Sequence, residues 1–456
     1  MNSLVRDMMV PVTASLRDAT RAIERGLTNT AFVVDDAGRL VGLVTDGDVR
    51  RAVLKDLSLD ISVRTVMNTN PMTVSGGWDP AELYRTMLAR HILCVPILEA
   101  DRTVVDFIHL PALAETVEAA GGAAPEVLQE RRVLVIGGAG YIGSALVREL
   151  LAHGHPVRVF DSLMYGEASL AGLEGRAGFE LIRGDTRNVE EIAAAIKGVS
   201  AVVHLGEIVG DPACQLNPDF TIDVNYLATR RIAEACRHMK IARFVFISSC
   251  SVYGAGDGLL DEKSPLAPVS LYAKCKIEAE RALLSMVGDG FHPTIFRLAT
   301  VFGLSYRPRF DLVVNLLAAR AVARGKIKII GGAQWRPFVH VRDVGDVILQ
   351  ALGTPVDAIG GQIFNVGDDA LNFQIRDLAD FIRRAIPDVA IETENGSNDA
   401  RDYRVSFAKL RGALGPRRWR TIDEGIAEIK AAIEGGQVAD YAERQYSNYL
   451  NFVGPE

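Results

Sequence analysis

From residue 131 onward, apolar runs recur at intervals: Val133-Leu134-Val135-Ile136, Val157-Arg158-Val159-Phe160, Phe179-Glu180-Leu181-Ile182, Ala201-Val202-Val203-His204-Leu205 and Arg243-Phe244-Val245-Phe246-Ile247. Amphipathic stretches of helical period separate them. Short apolar runs alternating with such helices predict parallel strands covered on both faces, a doubly wound α/β sheet. Upstream the pattern changes to a repeat of about sixty residues. Leu4-Val5-Arg6-Asp7-Met8-Met9 and Val63-Arg64-Thr65-Val66-Met67-Asn68 each precede a short extended stretch containing Thr13 or Thr73. Helical patterns follow over 16–25 and 80–90. Then come the strands Ala31-Phe32-Val33-Val34-Asp35 and Cys94-Val95-Pro96-Ile97-Leu98, each with a second strand after it. Two copies of one unit packed face to face are expected over 1–120. Ala119-Ala120-Gly121-Gly122-Ala123-Ala124-Pro125 reads as a linker, placed at 121–130, before a larger body over 131–456.

Composition narrows the class without naming an activity. The 456 residues are 48% hydrophobic and 23% charged, with a formal net charge of −7, which argues against a dedicated nucleic-acid binder. Apolar runs stay below the roughly 18 residues of a membrane helix, and the start of the chain has no apolar signal core, so a cytoplasmic protein is expected. Cys94, Cys214, Cys236, Cys250 and Cys275 are scattered without metal-ligand spacing, which suits reduced thiols and no metal site.

The chemistry is concentrated in a few segments. Gly137-Gly138-Ala139-Gly140-Tyr141-Ile142-Gly143 follows the first apolar run and precedes a helical stretch. Strand, glycine turn and helix in that order place backbone amides where they can hold a pyrophosphate. Asp161, about twenty residues on at the next strand end, can bind both adenosine ribose hydroxyls and repel a 2′-phosphate, which favours NAD over NADP. Tyr272 and Lys276 lie four apart on one helix face, a phenol beside an ammonium.

The body resembles an extended short-chain dehydrogenase/reductase of the nucleotide-sugar epimerase/dehydratase group. The matching pieces are the Gly137–Gly140–Gly143 turn, Ser248-Ser249-Cys250-Ser251-Val252-Tyr253-Gly254, Tyr272-x-x-x-Lys276 and Arg336-Pro337-Phe338-Val339-His340-Val341. The resemblance implies a Rossmann-type sheet with a smaller C-terminal substrate-binding α/β region. It makes Ser249, Tyr272 and Lys276 catalytic, and Gly137, Gly140, Tyr141, Ile142, Gly143, Asp161, Asp185, Thr186, Leu205 and Lys276 the cofactor set. Asp185 would meet the adenine amino group or stay a solvated strand-end carboxylate. Asn315, Arg336 and Arg401 are the substrate-side candidates, with Arg404 either a further clamp or a surface residue. Asn225 is expected near the catalytic lysine or in its supporting structure. Glu207, where the family has a small residue, is either a substrate-facing acid or a solvated turn residue.

The first 120 residues resemble a pair of CBS motifs, the Bateman module. Gly42-Leu43-Val44-Thr45-Asp46-Gly47-Asp48 carries the resemblance and assigns Thr45 to a phosphate and Asp48 to the ribose of an adenine nucleotide. In the second copy Ile108 and Pro111 are placed at the corresponding positions, which predicts a degenerate site. A dimerisation module that binds nothing is the alternative.

A phenolate on Tyr272, favoured by Lys276, would remove a sugar hydroxyl proton while NAD takes hydride from the same carbon. Related 4,6-dehydratases carry an acidic pair after the catalytic hydroxyl, where this chain has Cys250 and Ser251. An epimerase, at C4 for example, is therefore expected, ahead of a 4,6-dehydratase or 4-ketoreductase. A non-catalytic NAD and nucleotide sensor is the alternative of another class. The expected partners are a nucleotide-diphosphate sugar, an adenine nucleotide effector and a second copy of the chain, as homodimer or homotetramer.

Overall fold

The computed structural model describes residues 3–26, 30–45, 48–49, 52, 57–89, 92, 94–109, 113, 132–288, 290–394, 396, 399 and 401–453. The expected linker at 121–130 lies outside the described residues, as do Asp46, Gly47 and Pro111. The chain divides into two compact units, Met1–Val127 and Leu128–Glu456.

In the first unit, Met9–Pro11, Thr30–Val34 and Leu40–Thr45 form one sheet, and Cys94–Leu98 pairs antiparallel with Val104–His109 in another. The helices Leu16–Gly26 and Pro80–Ala89 stand where the periodicity places them. Phe32, Val34 and Leu40 of the first copy share an apolar cluster with Cys94, Leu98 and Val104 of the second, which joins the repeats.

Both antiparallel ladders carry the same register shift, between Val33 and Val34 in one and between Ile97 and Leu98 in the other. Thr30 lies opposite Thr45, and its equivalent Cys94 lies opposite His109. The counterpart of Thr45 is therefore His109, one residue beyond the Ile108 expected from sequence. Pro111, expected at the position of Asp48, lies outside the described residues. A nearly continuous apolar run such as Leu40-Val41-Gly42-Leu43-Val44 leaves a one-residue slip open, whereas a shared bulge fixes the register.

The second unit is built on seven parallel strands: β1 (Val133–Ile136), β2 (Val157–Asp161), β3 (Phe179–Arg183), β4 (Ala201–His204), β5 (Arg243–Ser249), β6 (His292–Leu298) and β7 (Gln362–Val366). Their spatial order is β7-β6-β5-β4-β1-β2-β3. Alternate residues of one strand enter different cores. Val133 and Val135 belong to one cluster, Leu134 and Ile136 to another on the opposite face. A strand buried on both sides must be apolar at every position, which is why these runs read as continuous. The chain order reverses between β1 and β4, opening a crevice at the strands' C-terminal ends.

A further core, including Phe302, Phe338, Ile426 and Ile429, fills the C-terminal region. Three helices matter below: α1 (Tyr141–Ala152), α2 (Leu271–Ser285) and α3 (Val313–Arg324). No helix among the described residues is long and apolar enough to cross a membrane.

Candidate active site

Gly137, just after β1, has φ +82°, and a Cβ there would lie 2.6 Å from the Gly206 amide nitrogen. A Cβ on Gly143 would lie 2.2 Å from the Gly137 carbonyl oxygen. These two glycines let the turn close against the loop after β4 and let α1 start at once. Gly140 caps α1 without a side-chain acceptor, so its first amides are available to an anion. Asp161, at the end of β2, accepts from the Ala139 N–H through Oδ2 at 2.9 Å and from the Leu163 N–H through Oδ1 at 2.8 Å. It thereby holds the turn, while burial pushes its carboxyl above the usual range against those bonds.

A cavity of about 240 Å³ opens over the turn. Gly137, Gly140, Tyr141, Ile142, Gly143 and Leu205 line it together with Ser249, Tyr272, Lys276 and Arg401. An adjoining cavity of about 110 Å³ is lined by Asp161, Asp185 and Thr186, and shares Gly137, Gly140, Leu205 and Glu207 with the first. Arg187 bonds Asp185 at 2.6 Å and holds that carboxyl below its ordinary value. These linings fit a dinucleotide. Glycine backbone and a free helix N-terminus suit its pyrophosphate, and the strand-end carboxylate suits a ribose diol.

Ser249 ends β5, and its Oγ accepts from the Ser251 N–H at 3.1 Å. Ser248 points the other way along the strand and donates to Glu280 at 2.5 Å. Glu280 also pairs with Arg297 at 2.6 Å, and Arg297 donates to the Tyr253 hydroxyl at 3.1 Å. Ser248 is thus tied into a buried brace. Ser270 caps α2 by accepting from the Ala273 N–H, and α2 carries Tyr272 and Lys276 into the cavity.

Burial raises the Tyr272 phenol well above its ordinary pKa, helped by Cys214 and Asp211, while the neighbouring Ser249 hydroxyl opposes the shift. Lys276 is 2% exposed. Its ammonium bonds Glu207 and the Ile247 carbonyl, and lies 4.7 Å from the Phe246 ring centroid and 5.5 Å from that of Tyr272. Burial lowers the ammonium to about 7 against the opposing pull of Glu280. The Glu207 carboxylate, in direct contact, opposes deprotonation as well. Asn225 secures the loop that presents Glu207: its Oδ1 accepts from the Ile208 N–H at 2.8 Å and its Nδ2 donates to the Ile208 carbonyl at 2.7 Å.

The substrate-side candidates separate. Arg401 lines the cavity and pairs with Asp399 at 2.7 Å and Asp211 at 3.2 Å. Arg336 is outside that lining. It pairs with Asp399 at 2.9 Å, donates to the Arg401 carbonyl and sits over the Tyr403 ring, so it braces Arg401 from behind. The carboxamide of Asn315, in α3, is engaged on both ends. Oδ1 accepts from the Gly303 N–H at 2.9 Å, and Nδ2 donates to the Arg309 carbonyl at 2.9 Å and to the Tyr141 hydroxyl at 3.3 Å. It pins the 303–309 loop and is absent from the cavity lining. The Arg404 guanidinium lies over the Trp335 ring, 5.0 Å from its centroid.

Sequence reasoning passed over Arg307 and gave Arg309 only as the start of a substrate-side segment; both line the cavity from the Ser305-Tyr306-Arg307-Pro308-Arg309 loop. Two arginines flanking one proline just before a helix were the available signal. In the first unit, Thr45 Oγ1 donates to Asp48 Oδ2 at 2.6 Å, and the Thr45 N–H reaches the same oxygen at 2.9 Å. The two expected nucleotide contacts are therefore held side by side.

Comparison with known proteins agrees with this geometry. Residues 133–367 match the model of the NAD dependent epimerase/dehydratase family, and residues 4–55 and 63–118 match the CBS domain. A UDP-glucose 4-epimerase of Mycolicibacterium smegmatis is 32% identical over 307 residues, 65% of this chain and 96% of that one. The structure of MoeE5 in complex with UDP-glucuronic acid and NAD is 29% identical, with TM-score 0.58, and covers 67% of this chain and 99% of its own. A UDP-glucuronic acid 4-epimerase from Bacillus cereus, in complex with UDP-glucuronic acid and NAD, has TM-score 0.61 at 25% identity over 67% of this chain and 99% of its own. A glycine turn at a parallel-sheet switch point, a Ser–Tyr–Lys set in the same cavity and these matches lead to one statement: the chain belongs to the NAD dependent epimerase/dehydratase family and carries a pair of CBS domains ahead of its catalytic body.

Proposed function

We propose that the protein is a nucleotide-sugar epimerase that acts through a transient ketosugar, with C4 as the reacting carbon. The observation that carries this reading is Ser249, Tyr272 and Lys276 lining one cavity with the glycine turn, while Cys250 and Ser251 stand where a dehydratase would carry acids. NAD, when bound, supplies the hydride acceptor and returns the hydride. Tyr272 takes the proton of the reacting hydroxyl as its phenolate, a form that burial disfavours and the nearby Lys276 ammonium offsets, and Ser249, lining the same cavity, orients that oxygen. Lys276 stabilises the phenolate electrostatically and holds the nicotinamide ribose. Arg401, backed by Arg336, takes the substrate diphosphate, for which a guanidinium fork is suited.

Cys250 cannot replace the missing acid: its thiol is buried against the Arg297 carbonyl, and burial raises its pKa far above the neutral range. UDP-sugar enzymes among the relatives support a hexose nucleotide as substrate. The Thr45/Asp48 pair is assigned to an adenine nucleotide that regulates turnover in a homodimer or homotetramer. The test is a panel of UDP-, GDP-, dTDP- and CDP-sugars followed by mass spectrometry and NMR. Unchanged mass with inverted stereochemistry supports the proposal. Loss of one water, or gain of two hydrogens with added reduced cofactor, replaces it by dehydratase or reductase.

A further inference from the structure

Arg307 is a buried cation whose bonding partners are all neutral. The residue is 6% exposed. Its guanidinium stacks on Tyr165 with Cζ 3.8 Å from the ring centroid. Nη1 donates to Asn448 Oδ1 at 2.7 Å and Nη2 to the Gln445 carbonyl at 3.5 Å. Nε is buried with no hydrogen-bond partner among the described residues. The nearby carboxylate is taken: Arg309 holds Asp311 through two bonds of 2.9 and 2.8 Å. Burial lowers the Arg307 guanidinium to about 10; Tyr165, Asp311 and Asp161 oppose the shift and Arg309 adds to it. A buried charge without a counterion is costly, so such an arrangement is built to receive an anion.

We propose that Arg307 is a diphosphate-binding residue, braced by the C-terminal segment, in the cavity that the Gly137–Gly143 turn also lines. Arg307, the Tyr165 ring and the glycine turn, with the free amides that open α1, line this one cavity. A diphosphate bridge, with its adjacent anionic oxygens, matches those donors, whereas a neutral sugar ring leaves the charge unmet.

The brace comes from the short helix Asn448–Phe452. Asn448 holds Arg307, donates through Nδ2 to the Val209 carbonyl at 3.1 Å and through its N–H to Asp311 at 3.2 Å. Phe452 packs edge-on against Tyr165, with ring centroids 6.4 Å apart. The last described residues thus set the position of the cation, some 300 residues after the turn that faces the same cavity. Both the dinucleotide and the sugar nucleotide carry a diphosphate; this inference rests on the cavity binding them, as proposed above.

The test uses the full chain and needs no turnover. NADH binding is followed by its fluorescence, adenosine by its displacement of NADH, and UDP by calorimetry. In Arg307→Gln, affinity for NADH or for UDP is expected to fall about ten-fold or more through loss of a charge-assisted bond, with Arg307→Lys, which keeps the charge, falling less. A loss confined to NADH, with adenosine displacement unchanged, assigns the cofactor's diphosphate; a loss confined to UDP assigns the substrate's. Asn448→Ala should weaken the same ligand by a smaller factor. If Arg307 serves only to latch the C-terminal segment, Arg307→Gln and Asn448→Ala will lower Tm and leave both affinities unchanged, which overturns the proposal. An equal loss for adenosine and NADH also overturns it. A parent protein that binds neither NADH nor UDP refutes the underlying assignment of the cavity, and this inference with it.

Discussion

Lys276 and Glu207 form an ion pair in which each side chain is 2% exposed, with the Ile247 carbonyl as the lysine's other oxygen partner. Neither residue's chain neighbours announce the contact. Glu207 sits on the loop after β4 and Lys276 in the second turn of α2, and only the sheet brings them together. The second carboxylate oxygen of Glu207 is buried with no hydrogen-bond partner among the described residues.

Removing that carboxylate should make stability depend on pH in a defined direction. The groups facing the ammonium are Glu207, Glu280, Tyr272 and His204, and burial keeps His204 neutral by lowering it to about 3. Burial lowers Lys276 to about 7 in the folded chain, against about 10.4 unfolded, and the variant loses a carboxylate that opposes this shift. Between those values the unfolded chain binds more protons, so stability rises with pH through that window. Glu207→Gln should therefore show its largest deficit near pH 6, with about 3–5 kcal/mol as the upper bound for a broken buried pair. The deficit should shrink near pH 9, where Lys276 sheds its proton. Urea unfolding at both pH values measures this; equal deficits would falsify the pairing as an electrostatic one.

Tyr272→Phe should lower kcat by about 10²–10⁴-fold, the usual range for losing a general acid/base, while retaining bound dinucleotide. Ser249 lines the same cavity, so Ser249→Ala should act in the same direction. Turnover of a converted sugar nucleotide, together with the absorbance of released NAD, reads both quantities. Full activity in Tyr272→Phe would remove Tyr272 from the mechanism.

Two glycine substitutions should have opposite effects. In Gly143→Ala the new Cβ meets the Gly137 carbonyl oxygen at 2.2 Å, so the turn must open and dinucleotide binding should be lost. Gly345 lies inside the helix Val341–Gly353, and a Cβ there meets nothing within 4 Å. Gly345→Ala should raise stability by about 0.5–1 kcal/mol through reduced backbone entropy in the unfolded chain and leave NADH binding unchanged. Calorimetric melting and NADH fluorescence on both variants decide it.

Asp48→Ala should weaken adenine-nucleotide binding to the first unit by about ten-fold or more, because the carboxylate that Thr45 positions is the proposed ribose acceptor. His109→Thr, which restores only one of the two residues in the other copy, should not create a second site. Nucleotide stoichiometry by calorimetry on the full chain is the readout, and a second site in His109→Thr would show that a carboxylate at the Asp48 position is not required.

Much of the architecture was legible because buried parallel strands are apolar at every position. Val133–Ile136, Cys94–Leu98 and the helix Leu16–Gly26 all stand where hydrophobic period placed them, to within a residue. The glycine turn was legible for a steric reason, since no Cβ fits at Gly137 or Gly143. Roles that depend on which way a polar side chain turns were not. Asn315 and Arg401 are equally plausible ligands as letters, yet one is consumed by the 303–309 loop and the other lines the cavity. The equivalence of His109 with Thr45 needed the bulge, because a nearly continuous apolar run tolerates a slip.

By itself the sequence determined the strand–turn–helix that can receive a dinucleotide, the tyrosine and lysine one helical turn apart, and the repeated N-terminal unit. All three are local, set by spacing and by the absence of side chains where none fit. The tertiary structure decided which charges meet. It gave Lys276 the partner Glu207, took Arg336 out of the cavity to brace Arg401, and left Arg307 buried on neutral partners from the C-terminal segment. Such pairings join residues tens to more than a hundred positions apart. In a buried site their energy depends on distance and desolvation, which no spacing along the chain encodes.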